Sequence, residues 1–287
     1  MNVDNPLWRF AGMRPAAWLF FLFLYLPILV LVVLSFNGGQ SATLWDGFSL
    51  KWYAVVANDA EIVRAAQNSL IVASLATLLA TSLATLAALG MRGGAFRGQT
   101  LMSGVLGLPL LVPEIVTAVA TLMFFSFVGL KLSLFTILIA HVVFCIPFAY
   151  LPIRARLEGM NPQLLEAAAD LYASPWRAFW KVSFPLLLPG ILSGAMLAFI
   201  ISMDDFVITY FVAGAGATTL PVYIFRSIRM GISPKINAIS SIILVISIAF
   251  VALSYYVGQR QRRRPQGRAQ DPRSAAQAEA PAGHVQQ

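Results

Sequence analysis

Six stretches of this chain stay predominantly apolar for about 20 residues or more, at roughly Ala16–Phe36, Asn68–Gly90, Leu101–Val128, Leu132–Pro152, Leu186–Val212 and Ile236–Val257. At about 1.5 Å of rise per residue, each is long enough to cross a bilayer as a helix. Lipid offers no hydrogen bonds to the backbone, so only helices or closed barrels can span it, and these runs lack the strict alternation of barrel strands. The sequence therefore predicts an all-α integral membrane protein with six transmembrane helices. Composition excludes the soluble alternative: 59% of residues are hydrophobic and 11% charged, with a mean hydropathy of +0.76.

Six spans put both termini on one side. The segments on that side, 1–15, 91–100, 154–185 and 258–287, carry 14 of the 20 Lys and Arg residues. Basic residues are retained in the cytoplasm, which predicts cytoplasmic termini. The first apolar run exceeds the length of a signal h-region and reads as a retained helix. The organisation expected is a cytoplasmic N-terminal segment over 1–15, a membrane domain over 16–258 with a cytoplasmic loop at 154–185, and a disordered tail over 259–287. The tail opens on Gln259-Arg260-Gln261-Arg262-Arg263-Arg264-Pro265 and continues in Ala, Gln, Pro and Gly, too polar to bury a core. Beside a helix end such an arginine cluster suits anionic lipid headgroups better than nucleic acid.

Catalytic signatures are missing. The chain has no Gly-rich P-loop, no His-Glu-x-x-His and no Cys pair, and its one cysteine, Cys145, falls in an apolar run. No metal site, cofactor or catalytic residue is expected. His141 lies alone in an apolar run and reads as a hydrogen-bonded packing residue, with a proton relay as the alternative.

The loop at 154–185 is charged and helix-forming where a spanning segment would be neither. Asn161-Pro162 is a helix start, with Asn as cap and Pro in the first turn, and Gln163–Leu171 follows in strong helix formers. Ser174-Pro175 repeats the start before Trp176–Val182. Leu164, Leu165, Ala168 and Leu171 give the first helix an apolar face that can dock on a partner, with Glu166 and Asp170 elsewhere.

Within this loop Glu166, Ala167 and Ala168 precede, at fixed spacing, Tyr172, Val182, Phe184 and Pro185. The pattern resembles the binding-protein-dependent ABC importer permeases, whose loop motif reads Glu-Ala-Ala, three residues, Gly, nine residues, Ile, one residue, Leu-Pro. Tyr172 stands where the motif has Gly, and a non-Gly residue in a left-handed turn costs about 1–2 kcal/mol. The resemblance covers about residues 15–258. Ser193–Phe199, Ser202–Ile208, Gly216–Pro221 and Met230–Ala238 look like the smaller permease subunit of spermidine and putrescine systems. It implies a type I ABC importer permease (MetI-like) architecture in the bacterial inner membrane. It also implies a second, different permease subunit as heterodimer partner, two copies of a cytoplasmic ATPase that binds the ATP, and a periplasmic substrate-binding protein. Glu166, Ala167 and Ala168, with Tyr172, Val182 and Pro185, would then form the ATPase-coupling loop.

The residues themselves point to a cationic cargo. Glu114, Asp204 and Asp205 fall inside apolar runs, whereas Lys and Arg sit at or beyond run ends. A charge at the bilayer centre costs roughly 2.5–3.5 kcal/mol, so such groups are expected to face a cavity, a partner or a pathway. In straight helices Glu114 and Asp204 would differ in depth by about 6 Å. Asp204 and Asp205 would point about 100° apart, so one is expected to face the pathway and the other a neighbouring helix. The alternative is that these acids cap kinked helices, since Pro113 precedes Glu114. Outside the membrane, Val222–Met230 reads as a surface helix, and the loop from Asn37 to Gln67, with Trp45, Trp52 and Tyr53, as an interfacial belt. The function expected is a polyamine importer permease; the rivals are an importer permease for another solute and an ion-coupled secondary transporter.

Overall fold

The computed structural model describes residues 13–92, 96–231 and 233–262. Most of the expected N-terminal segment and of the expected tail therefore lies outside the described residues. The chain divides into a compact unit over Met1–Ile246 and a second unit over Ser247–Gln287.

Among the described residues the fold is helical throughout, with one isolated antiparallel bridge, Asn37 to Phe48. Helix α1 (Met13–Leu34) carries no buried residue. The turn after it is organised by buried Asn37, whose amide donates to the carbonyls of Ser41 and Leu44 and accepts from the backbone of Gly39 and Asp46. After α2 (Lys51–Asn58), Asp59 caps α3 (Ala60–Gly90) by accepting from the N–H groups of Glu61 and Ile62. The same carboxylate pairs with Lys235, which holds it below the usual Asp range. That pair ties the start of α3 to a residue 176 positions away.

The third apolar run is not one helix. It forms α4 (Gln99–Leu111) and α5 (Glu114–Val128), bent by 111° at Val112-Pro113. Proline has no N–H and disfavours helix at the residue before it, and Val112 is indeed extended. Helix α6 (Leu134–Glu158) starts from a capping box between Ser133 and Thr136. The loop at 154–185 contributes α7 (Gln163–Asp170) and α8 (Pro175–Ala178). A single π-helical turn, Phe179–Ser183, then runs straight into α9 (Phe184–Asp204). The fifth apolar helix thus starts at Pro175 rather than Leu186. It also stops at Asp204, before the expected Val212, and the chain resumes as α10 (Val207–Val212), α11 (Leu220–Met230) and α12 (Pro234–Arg262).

Four of these helices are long and apolar enough to cross a membrane, α1, α3, α6 and the continuous Pro175–Asp204, and the bent α4–α5 pair makes up to five. The apolar part of α12, Pro234–Ala249, is shorter. The expected count of six full-length spans is therefore not reached among the described residues.

Helices α3, α6 and α9 pack on one another. Lipid tails are as apolar as the side chains, so helices in a membrane associate through close packing and hydrogen bonds, and small residues let them approach. The sequence supplies such residues at helical spacing. On α9 the buried positions are Leu187, Gly190, Gly194, Ala198 and Ser202; on α6 they include His141, Cys145, Ala149, Ile153 and Leu157; on α3 Ala73, Ala76, Ala80, Ala84 and Ala88. A Cβ at Gly194 would lie 2.6 Å from the carbonyl oxygen of Ala149, and one at Gly190 2.6 Å from the Arg156 Cβ. The Arg156 Nε–H also donates to the Leu186 carbonyl at 2.8 Å, bracing the same crossing. Large apolar residues face outward instead, Phe23, Leu111 and Phe127 among them.

Substituting Gly194 tests this crossing. Gly194→Val is expected to destabilise the protein by about 1–3 kcal/mol through overpacking against backbone that cannot retreat. Gly107→Ala in α4, where an added Cβ meets nothing within 4 Å, is expected to be neutral or stabilising by up to about 1 kcal/mol. Thermal unfolding of both variants in detergent separates the two; equal melting temperatures would mean that the α6–α9 contact is slack.

Candidate functional site

Two regions of the bundle bring together residues singled out by the sequence. The first lies where α9 breaks. Asp205 leaves the helix in an extended conformation, and its carboxylate accepts from the N–H of Ile208 at 3.3 Å and of Thr209 at 2.8 Å. It thereby satisfies backbone donors at the start of α10 that would otherwise face an apolar interior. The Thr209 hydroxyl donates to the same oxygen at 2.8 Å.

His141 completes this arrangement from α6. Its Nε2 lies 3.0 Å from the Asp205 carboxylate and 2.8 Å from the Thr209 hydroxyl, and its Nδ1 lies 2.8 Å from the Ser202 hydroxyl. With Nε2 protonated the ring donates to Asp205 and Nδ1 accepts from Ser202, so both nitrogens are used. His141 and Asp205 are each only 2% exposed through their side chains, which leaves neither open to solvent. The expectation that these acids lack a basic partner within the apolar runs is thus corrected for Asp205, which pairs with His141. The sequence offers no local sign of it, because the two stand 64 positions apart on different helices.

Glu114 sits in the first turn of α5, where the helix dipole favours a carboxylate. The packing of α5 on α10 turns this end of α5 toward the break that follows α9. The depth estimate for Glu114 and Asp204, which assumed straight helices, does not apply to bent spans. Asp204, the last residue of α9, is exposed. The two adjacent acids therefore have different surroundings: Asp205 caps a helix inside a closed hydrogen-bond network, and Asp204 faces outward. Beyond them Phe206 packs on Tyr210 and on Phe225 of α11, and the Arg229 guanidinium lies 4.6 Å over the Phe225 ring.

The second region is the loop between α6 and α9. Asn161 accepts from the Gln163 N–H at 3.0 Å, as an N-cap should. Glu166 and Ala167 are exposed on α7, and Ala168 is buried beneath them. The helix closes with the Tyr172 N–H bonded to the Ala169 carbonyl and the Ala173 N–H to that of Ala168. This paired closure is a Schellman motif, which needs a left-handed residue at the turn. Tyr172 takes that conformation at φ 54°, the one non-Gly residue with positive φ among those described. Ser174 then caps α8 at the Arg177 N–H. Trp176, Trp180 and Phe184 stack at four-residue spacing along the π-helical turn, with Val182 half-buried and Pro185 exposed. Leu164, Leu171, Tyr172 and Trp176 leave an exposed apolar surface here. The sequence did not reveal the π-helical turn, which depends on how α8 is continued into α9.

The family model for the binding-protein-dependent transport system inner membrane component matches residues 10–264. The spermidine/putrescine transport system permease protein PotC of Escherichia coli K12 is 35% identical over 237 residues, covering 83% of this chain and 90% of that protein. PotC of Haemophilus influenzae is 38% identical over 238 residues, with 83% and 93% covered. The putrescine transport system permease protein PotI of Escherichia coli K12 is 38% identical over 253 residues, with 85% and 90% covered. Among solved structures, a bacterial ABC transporter that imports the acidic polysaccharide alginate matches with a TM-score of 0.70 at 16% identity, over 89% of this chain and 96% of that one. The methionine ABC transporter MetNI in an inward-facing form matches at 0.58 and 20% identity, over 70% and 94%.

Tyr172 offers a direct test of the loop geometry. Tyr172→Gly is expected to stabilise the protein by about 1 kcal/mol by relieving the left-handed strain, whereas Tyr172→Ala, which keeps a Cβ at the same φ, is expected to bring no gain. Melting temperatures of the two variants side by side give the answer, and an equal response to both would place the effect in the ring rather than the backbone.

Proposed function

Since the chain belongs to the binding-protein-dependent transport system inner membrane components, we propose that it is the membrane-spanning permease subunit of an ATP-driven importer whose cargo is a di- or polyamine. The observation that carries the reading is the likeness, at 35–38% identity over more than four-fifths of the chain, to permease proteins named for spermidine and putrescine. The chemistry agrees with it. Three carboxylates, Glu114, Asp204 and Asp205, stand at the ends of α5 and α9 where these meet α10, and among the described residues the basic group that pairs with one of them, His141, is enclosed with Asp205. An uncompensated acidic corner suits an ammonium group and disfavours an anion.

In this reading the chain is multi-pass in the bacterial inner membrane with both termini in the cytoplasm. A second, different permease subunit completes the pathway, and a periplasmic binding protein delivers the cargo. ATP is bound and hydrolysed by two copies of a cytoplasmic ATPase, and this chain carries no cofactor of its own. The α7 segment with exposed Glu166 and Ala167, closed by Tyr172 and followed by Val182 and Pro185, is the element that meets the ATPase. Beyond the turn at Tyr172, α8 runs without a gap into α9 and gives a motion there a lever into the membrane. Asp204 is the carboxylate proposed to face the cargo; Asp205, held by His141 and Thr209, fixes the break that presents it.

Uptake of labelled putrescine and spermidine tests the proposal, in proteoliposomes holding the chain with its companion permease and ATPase, binding protein outside and ATP inside. Accumulation is expected to require internal ATP and to survive collapse of the ion gradients; uptake that follows the gradient instead would identify a secondary transporter. In the same vesicles Asp204→Asn is expected to lower uptake by roughly tenfold, as loss of one charged hydrogen-bond partner does. Unchanged uptake would remove Asp204 from the pathway.

A further inference from the structure

A cavity of about 340 Å³ opens at the end of the bundle that carries α7, between the last turns of α3 and α6 and the first turn of α4. It lies apart from the acidic corner and shares no residue with it. Its polar lining is dominated by donors. Arg92 and Arg154 carry two positive charges, Gln99 and Ser103 add an amide and a hydroxyl, and Glu158 is the one acid. Arg154 is already oriented, with Nε 2.7 Å from Glu158 and the guanidinium over the Tyr150 ring. Arg92 makes no ion pair among the described residues.

Tyr150 makes the site specific. It is 6% exposed and lines the cavity. The Arg154 guanidinium lies 6.0 Å over its ring, so the neighbour on that side can only donate. The acceptor it finds is the Met91 thioether sulfur at 3.5 Å, a weak one. A buried phenol donating to sulfur, beside an unpaired guanidinium, is a site short of a strong oxygen acceptor.

We propose that this cavity binds the phosphodiester headgroup of an anionic phospholipid. The charge balance of the lining, two arginines against one glutamate, leaves a single positive charge for the single negative charge of a phosphodiester. Arginine is suited to this role because its fork matches phosphate oxygens. The volume falls within the range of small-molecule pockets and far exceeds what one phosphate ion fills. Leu157, Met160 and Pro162 give the remaining wall an apolar surface for the glycerol end. Basic pockets between spanning helices at a membrane face are where such headgroups bind. Met160 and Pro162 directly precede α7, so an occupant braces the root of the segment proposed to meet the ATPase. The binding site itself stands whether or not that proposal does.

Native mass spectrometry of the full chain, purified from membranes with whatever subunits accompany it, tests the site. The probes are dioleoyl phosphatidylglycerol, dioleoyl phosphatidylcholine and inorganic phosphate. One phosphatidylglycerol per chain is expected, retained about tenfold more strongly than phosphatidylcholine, with loss of about tenfold in Arg92→Gln and no loss in Lys181→Gln, an exposed residue outside the cavity. Tyr150→Phe, which keeps the ring, is expected to weaken retention several-fold, and a monodisperse elution profile confirms that each variant folds. Equal retention of the two lipids, or equal behaviour of Arg92→Gln and Lys181→Gln, would overturn the site. Saturation by inorganic phosphate with no preference for phosphatidylglycerol would overturn the lipid assignment in favour of a free anion.

Discussion

The close approach of α6 and α9 is the contact on which the rest of the molecule depends. Burying apolar surface gains little between helices already surrounded by lipid, so packing distance and hydrogen bonds must hold them. Gly190 and Gly194 set that distance, because a side chain at either position would collide with α6. The consequence runs along both helices in steps of four residues. From Gly194 the stripe continues through Ala198 to Ser202, and from Ala149 through Cys145 to His141. Small residues at one end of the crossing thus deliver a Ser and a His to hydrogen-bonding distance at the other.

That pairing in turn stabilises a broken helix. A chain that stops being helical inside a membrane exposes backbone donors, and each one left unsatisfied costs several kcal/mol. Asp205 takes up two of them, and His141 and Thr209 donate to its remaining lone pairs. The cost of the break is thereby offset locally, and Asp204 is left exposed at the helix end. On α5 the device is different: Pro113 forces the bend, and Glu114 occupies the first turn beyond it. Two unrelated ways of interrupting a helix therefore converge on one acidic corner.

At the other end of the bundle continuity matters instead of breakage. The π-helical turn lets α8 run into α9 without a gap, with Trp176, Trp180 and Phe184 stacked along it. Tyr172 accepts a strained backbone so that α7 can reverse within a few residues. The loop is short, capped at both helix starts, and stiff.

Much of this was legible in the sequence, for local reasons. Run length and the chemistry of lipid determined an all-α membrane protein; Asn161-Pro162 and Ser174-Pro175 determined where the loop helices begin; the spacing from Glu166 to Pro185 carried the resemblance to the permease loop motif; and the position of Tyr172 flagged a left-handed turn. The tertiary structure alone decided what depends on contacts between distant residues. It ended the fifth apolar helix at Asp204, bent the third by 111° and gave Asp205 a histidine partner. It also drew Tyr150 and two arginines around one cavity. Apolar composition records that a segment prefers lipid, but is the same whether the helix runs straight or breaks. A hydrogen bond between residues on different helices leaves no periodic trace in either one.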